Sequence, residues 1–379
     1  MKKQYFAWIL AAFLFSLAIS YGVRTSNSTI RVKKYSDFNV SNTLGYDFQI
    51  PDINLSDYYD LSGGQVYIDD ADPNYNWSKT VAENEWCSGS GTWSDPYVIE
   101  KVYIDGNFNI APIPGIDYSF YSTSCINIRN TDAYFAIRNC FLTRSGDQVS
   151  RAGIMLSWAQ NGKIYLNLIT YCYYGIHVYE ESHNATIVGN FILNPDNLYG
   201  NMGGHRAIEL GYSFNGTVAL NYINNYRDGI SLDQAHHTIV RINLVNNSVL
   251  GFLSDNGVIL HKVNRTSVIR NILAGDLAGG IQTFKVDQVD CSDNTFENNT
   301  VTGTLPSTST SGIRSSGEYN TLFSLEDCHY NYIAHNIFYI PGYTEEAAIP
   351  SYDMLIIIST LGILSLLFAV KKRTIRIKD

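Results

Sequence analysis

The sequence predicts an all-β chain wound as a parallel solenoid, and three observations carry that prediction. A strand led by a small residue recurs along the chain. An apolar strand holding one asparagine recurs in step with it. The shortest period is 22 residues, from Gly153 to Gly175 and from Ala207 to Gly229. Composition agrees: 28 Tyr and 29 Gly with only 16% charged residues favour strands over helices. A formal charge of −9, with no Lys/Arg cluster in the body of the chain, argues against nucleic acid as a partner.

The first series reads CINI (125), GIML (153), GIHV (175), AIEL (207), GISL (229), GVIL (257), GIQT (280) and GIRS (312). The second carries Asn139, Asn167, Asn190, Asn221, Asn243, Asn271, Asn298 and Asn336. From small residue to asparagine the distance is 14 or 15 positions in the first six units and longer in the last two. One turn of a parallel solenoid stacks on the next at ~4.8 Å, so equivalent residues form columns. An asparagine among apolar residues is then explained as a ladder, each amide bonded to those above and below. The small residue marks a tight bend. Leucine-rich repeats also carry an asparagine, but they need dense leucine and one strand per unit, and these units have two strands rich in Ile, Val, Phe and Tyr.

These repeats, with GSGTWSDPYVIEKVYIDG (88–105) opening them, resemble the right-handed parallel β-helix superfamily, in particular its NosD-like and pectate-lyase-like members. The resemblance covers about residues 88–340 and implies a rod of about nine coils, roughly 43 Å long at ~4.8 Å per coil. Its polysaccharide enzymes bind substrate in a groove beside one sheet, so it implies a glycan partner. The superfamily also contains adhesins, which leaves enzyme and structural protein both open.

The ends are read separately. Lys2 and Lys3 precede an apolar run, which reads as a signal peptide over 1–21. Residues 22–87 form an N-terminal cap region, in which NWSKTVAENEW (76–86) is a short capping helix. After the β-helix, 88–340, come a stalk over 341–353, a transmembrane helix over 354–370 and a basic cytoplasmic tail over 371–379. Together with its basic end, this tail is similar to the membrane-sorting segments of archaeal surface proteins of this type. The expectation is a single-pass membrane protein with its β-helix outside the cell. Nine Asn-X-Ser/Thr sequons (27, 39, 54, 76, 184, 215, 246, 264 and 298) suit that location.

Between each asparagine and the next small residue the gaps run 14, 8, 17, 8, 14, 9 and 14. Every second coil therefore carries a longer loop at one corner, and the loops wall one side of the first strand series. Alternate positions of that series face outward. One outward column reads Asn127, Met155, His177, Glu209, Ser231, Ile259, Gln282 and Arg314; the next reads Arg129, Ser157, Tyr179, Gly211, Asp233, His261, Phe284 and Ser316. The candidate catalytic group is Glu209, Asp233, His177, His261 and Arg206, with Asp228 in the Arg206 register one coil on. Tyr179 and Trp158 are the candidate sugar-stacking rings. Glu209 and Asp233, one coil and two residues apart, fit the roughly 6.5–9.5 Å carboxyl spacing of an inverting glycosidase. A histidine base with Arg206 neutralising a uronate would instead serve a lyase or epimerase. A solvated polar face with no chemistry also accounts for them.

No metal ligands are assigned. Lyases of the superfamily often hold Ca2+ with several acids, and no tight acidic cluster stands here; calcium is the one cofactor the resemblance would allow. Of six cysteines, Cys291 and Cys328 occupy equivalent places in successive coils and form the candidate disulfide.

Overall fold

The structure is a computed structural model, described over residues 54–113, 123–146, 151–194, 205–247, 256–275, 279–284, 291–302, 323–325 and 331–339. Within these residues one chain winds three sheets, of nine, ten and ten strands. The first sheet comprises Val66–Asp69, Ile126–Thr131, Ala152–Ala159, Tyr174–Tyr179, Arg206–Gly211, Asp228–Asp233, Asn256–His261, Gly279–Phe284 and Phe323–Leu325. The second runs from Cys87–Ser88 to Tyr332–Ala334, and the third from Tyr59–Asp60 to Ile337–Tyr339. Each strand pairs in parallel with its equivalents in the coils above and below; the short Cys87–Ser88 strand alone among them pairs antiparallel.

Parallel stacking turns sequence alternation into columns. Ile154, Ile176, Ile208, Ile230, Val258 and Ile281 form one inward column, and Ile164, Ile187, Val218, Val240, Val268 and Phe296 another. All are fully buried. Burial of β-branched side chains against like neighbours fills the tube and is the main favourable term holding it.

The asparagine ladder is present, with two corrections. It runs Asn167, Asn190, Asn221, Asn243, Asn271, Asn299, Asn336, each Nδ2 donating to the next Oδ1 at 2.8–3.0 Å. Each Oδ1 also accepts the backbone N–H of the preceding member, and each Nδ2 also reaches a backbone carbonyl one coil back, such as Asn190 to Ile164. Asn298 is not in the ladder; it occupies the corner residue before it, with φ +55°. Asn139 is displaced likewise. It sits in the same left-handed corner and bonds Glu100, and Cys140 takes the ladder position, its N–H donating to Asn167 Oδ1. The corner stays left-handed in the later coils, at Leu166, Gly189, Leu220, Ile242, Arg270, Asn298 and His335. Left-handed Leu and Ile are disfavoured by their Cβ, so the ladder bonds hold a turn the local sequence would not choose.

A short helix packs over the first described coil. This helix, Trp77–Glu83, starts at Asn76, whose side chain accepts from the Lys79 N–H. Trp77 is fully buried over the first coil, stacks on Tyr97 at 4.8 Å and donates through Nε1 to Thr131. The sheets extend upstream of residue 88: Val66–Asp69 pairs with Ile126–Thr131, and Tyr59–Asp60 with Val102–Asp105. At the other end Phe323–Leu325 pairs with Gly279–Phe284, so Ser324 stands opposite Gln282, the place expected of Arg314. Arg314, Ser316 and the GIRS segment lie outside the described residues.

The expected signal peptide (1–21), stalk, span (354–370) and tail also lie outside them. Among the described residues no helix is long and apolar enough to cross a membrane. Cys328 lies outside too, so the candidate disulfide is not described; Cys291 is buried and its Sγ accepts from the Val263 N–H at 3.3 Å.

Candidate functional site

The outward face of the first sheet is built from register. Tyr174 pairs with Arg206, Arg206 with Asp228, and Asp228 with Asn256. Three residues along, His177 pairs with Glu209 and Glu209 with Ser231; two further, Gly211 pairs with Asp233 and Asp233 with His261. His177, Glu209, Asp233 and His261 are thus brought to one face across four coils. The longer connections in alternate coils all join a third-sheet strand to the following first-sheet strand, at 147–151, 194–205, 248–255 and 303–322, and nearly all of their residues lie outside the described ones.

The face is not a solvated one. Asn127, Met155, His177, Glu209, Ser231, Ile259 and Gln282, outward in the pleat, are all buried. Arg206 forks between two carboxylates: its Nη1 bonds Glu209, and its Nε lies 3.6 Å from Asp228 Oδ2. Asp228 is held from its other side by Asn256 Nδ2 at 2.7 Å. His177 Nε2 lies 3.4 Å from Glu209 Oε2, and its ring stacks on Tyr174 at 4.6 Å. His205, stacked on Tyr173 at 5.3 Å, enters from the corner before Arg206.

Burial decides the ionisation states. It pushes Glu209 up to about 7, against the pull of Arg206 and with help from Asp233 and Asp228. Burial, then the charges of Arg206 and His205, push His177 down to about 3. His205 falls to about 4 from burial and the nearby Arg206 and Arg227. Burial lowers His261 as well, although Asp233 opposes it. Asp228 is raised by burial, partly offset by Asn256 and Arg206. At neutral pH the site therefore holds three neutral imidazoles and one carboxyl group poised to give or take a proton.

Several buried polar atoms on this face have no hydrogen-bond partner: both amide atoms of Asn127, the hydroxyls of Ser157 and Ser231, His177 Nδ1 and Glu209 Oε2. Groups of this kind cost stability unless something occupies them.

Tyr179 and Tyr212 meet edge to face at 5.4 Å beside Asp233, forming the accessible rim. Trp158 lies near the end of its strand, with the Arg129 guanidinium 5.8 Å over its ring, and packs against the cluster of Met155, Ala152 and Tyr174. Its ring is therefore committed to packing on the side facing this cluster. Tyr173, Tyr174 and His205 join the site although the alternating columns gave no sign of them, and two of them begin the YYGIHV strand itself.

Among the described residues no group of three or more His, Cys, Asp or Glu could hold a metal ion.

Residues 125–204 match the family model described as periplasmic copper-binding protein (NosD). No curated protein matches the chain. Among solved structures it is similar to a complex of XylC with xylose (15% identity, TM-score 0.42, covering 55% of this chain and 35% of that one). It is also similar to the Dettilon tailspike protein (16%, 0.39, 62% and 53%) and to a mannuronan C-5 epimerase A-module from Azotobacter vinelandii (14%, 0.34, 64% and 83%). The chain thus spans about a third to a half of the first two. Its three stacked parallel sheets fit a right-handed parallel β-helix, and within it residues 125–204 are similar to the NosD family.

Proposed function

We propose that this is a cell-surface protein that recognises or processes carbohydrate on the outward face of its nine-stranded sheet. The observation that carries the reading is the buried Arg206–Glu209–Asp228 group with unpartnered polar atoms around it. A merely solvated strand face neither buries charges nor leaves such atoms unpaired.

The chemistry that fits best is hydrolysis with inversion. Glu209, raised to about 7 and so partly protonated at neutral pH, donates its proton to the glycosidic oxygen as the C–O bond breaks. Asp233 takes a proton from the water that attacks the anomeric carbon from the opposite side. One coil and two residues separate the pair, about 8 Å between β-carbons at ~4.8 Å per coil and ~6.8 Å per two residues. A lyase or epimerase using His177 as base fits less well, because burial pushes that imidazole down to about 3 and makes it a weak base. Copper, named in the family description, enters no step.

Secretion on the 1–21 segment and anchoring by 354–370, with the basic end in the cytoplasm, belong to the same proposal. Protease treatment of intact cells should then remove the β-helix and leave a short membrane-bound fragment.

The test of activity is digestion of polysaccharides by the whole protein, read as new reducing ends. Wild type should produce them, and Glu209→Gln and Asp233→Asn should not. Binding without turnover in all three would reduce the reading to recognition.

A structural or adhesive role has one observation in its favour. The outward side of the third sheet carries Phe141, Leu168, Phe191, Tyr222, Leu244 and Ile272 in one column, of which Leu168, Phe191 and Ile272 are partly exposed and could meet a partner.

A further inference from the structure

The carbohydrate reading leaves the class of sugar open, and the charges of the face narrow it. Resting on that reading, we infer that the first-sheet face takes a neutral, hydroxyl-rich glycan and discriminates against uronates.

A uronate site needs a cation with a free side to pair with each carboxylate. Two of the three arginines near this face, Arg206 and Arg129, are already paired with carboxylates. Arg206 is forked between Glu209 and Asp228. Arg227, in the residue before Asp228, acts on that same carboxylate. Arg129, further along the face, lies 3.6 Å from Asp69 Oδ2. The imidazoles of His177, His205 and His261 are held neutral by burial. Against Arg206 and Arg227 stand Glu209, Asp228 and Asp233. An incoming uronate would add one more carboxylate to a group already balanced or negative.

The unpartnered groups point the same way. Asn127 offers an amide donor and acceptor, Ser157 and Ser231 offer hydroxyls, and His177 offers Nδ1. All are neutral; they are buried in the unliganded protein, and a sugar hydroxyl, which both donates and accepts, is the group that would pair each one when it is exposed. Sites with such groups reject ligands that leave them unpaired. At the rim, Tyr179 and the exposed Tyr212 supply ring faces for the apolar side of a pyranose.

The experiment is equilibrium binding of the whole protein at pH 7.5 and low salt to two panels. One holds xylan, mannan and β-glucan oligosaccharides; the other holds oligogalacturonate and oligomannuronate. At least one neutral ligand should bind about tenfold tighter than any uronate. Asp233→Asn removes one negative charge from the rim, and it should raise uronate affinity about threefold or more, an effect that shrinks with added salt. Preferential binding of uronates by wild type would overturn this inference and leave the carbohydrate reading standing. Uronate affinity unmoved by Asp233→Asn would also overturn it, because charge would then not be what selects. Binding of neither panel would sink the carbohydrate reading, and this inference with it.

Discussion

His177 Nε2 stands 3.4 Å from Glu209 Oε2 across one coil step, with both side chains buried. Two groups that both prefer to be neutral thus share one contact. Glu209 is raised from its ordinary 4.5 to about 7, so its contribution to stability is complete below pH 4.5 and is lost as pH rises through 7. His177 is depressed from 6.5 to about 3, so its contribution is complete above 6.5 and is lost as pH falls towards 3. A glutamine at 209 cannot ionise. The melting temperature of Glu209→Gln relative to wild type should therefore climb between pH 5 and pH 8. A difference that stays flat over that range would show that Glu209 ionises in the fold as it does in water.

The ladder and its corner give a paired test. Asn299→Ala removes the acceptor of the Asn271 N–H and Nδ2 and the donor to Asn336. Leaving buried groups unpaired should cost about 2 kcal/mol or more. Asn298→Gly replaces a left-handed corner residue with one that adopts φ +55° freely, and it should change stability by less than about 0.5 kcal/mol. Urea midpoints of the two variants decide which of the adjacent asparagines carries the ladder.

Gly175 has no room for a side chain. A Cβ there would meet Ile192 Cγ2 and the backbone carbonyl of Ala207 in the next coil. Gly175→Ala should cost about 1–3 kcal/mol, because backbone at the coil step must move. A wild-type melting temperature in this variant would mean that coil spacing is softer than the columns suggest.

Trp77 closes the tube. Trp77→Ala removes its stacking on Tyr97 and leaves Thr131 short of a donor, at a cost of about 3–5 kcal/mol. Hydrogen exchange should rise first in Ile126–Thr131 and its neighbours; uniform loss of protection would instead indicate a helix that unfolds as one unit.

Much of this was legible in the sequence, because a parallel solenoid repeats its physics. Ile176 and Ile208 face inward for the same reason in successive coils, so pattern alone located the columns and the outward His177 and Glu209. Errors arose where one residue of slip was invisible. Asn298 and Asn299 are adjacent and chemically identical, and only backbone conformation separates corner from ladder. At Asn139 the true ladder position is a cysteine, which supplies a backbone N–H and needs no amide. The paired aromatic stacks under the site escaped notice because Tyr173 and His205 lie at coil corners, outside the alternating register that defined the face.

The direction of the asparagine bonds has a consequence for how such a rod can change in length. Every ladder amide points the same way, donor towards the C-terminal end, so the row is a polar track whose links are interchangeable. Coils of equal period, such as the 22-residue unit from Ala207 to Gly229, could be duplicated or deleted whole, with the bonds re-forming across the joint. A cut at any other phase would carry an asparagine out of the column and leave its neighbours' amides unpaired. Growth and loss by whole turns is thus written into the chemistry of one column, and relatives of different length should differ by complete windings.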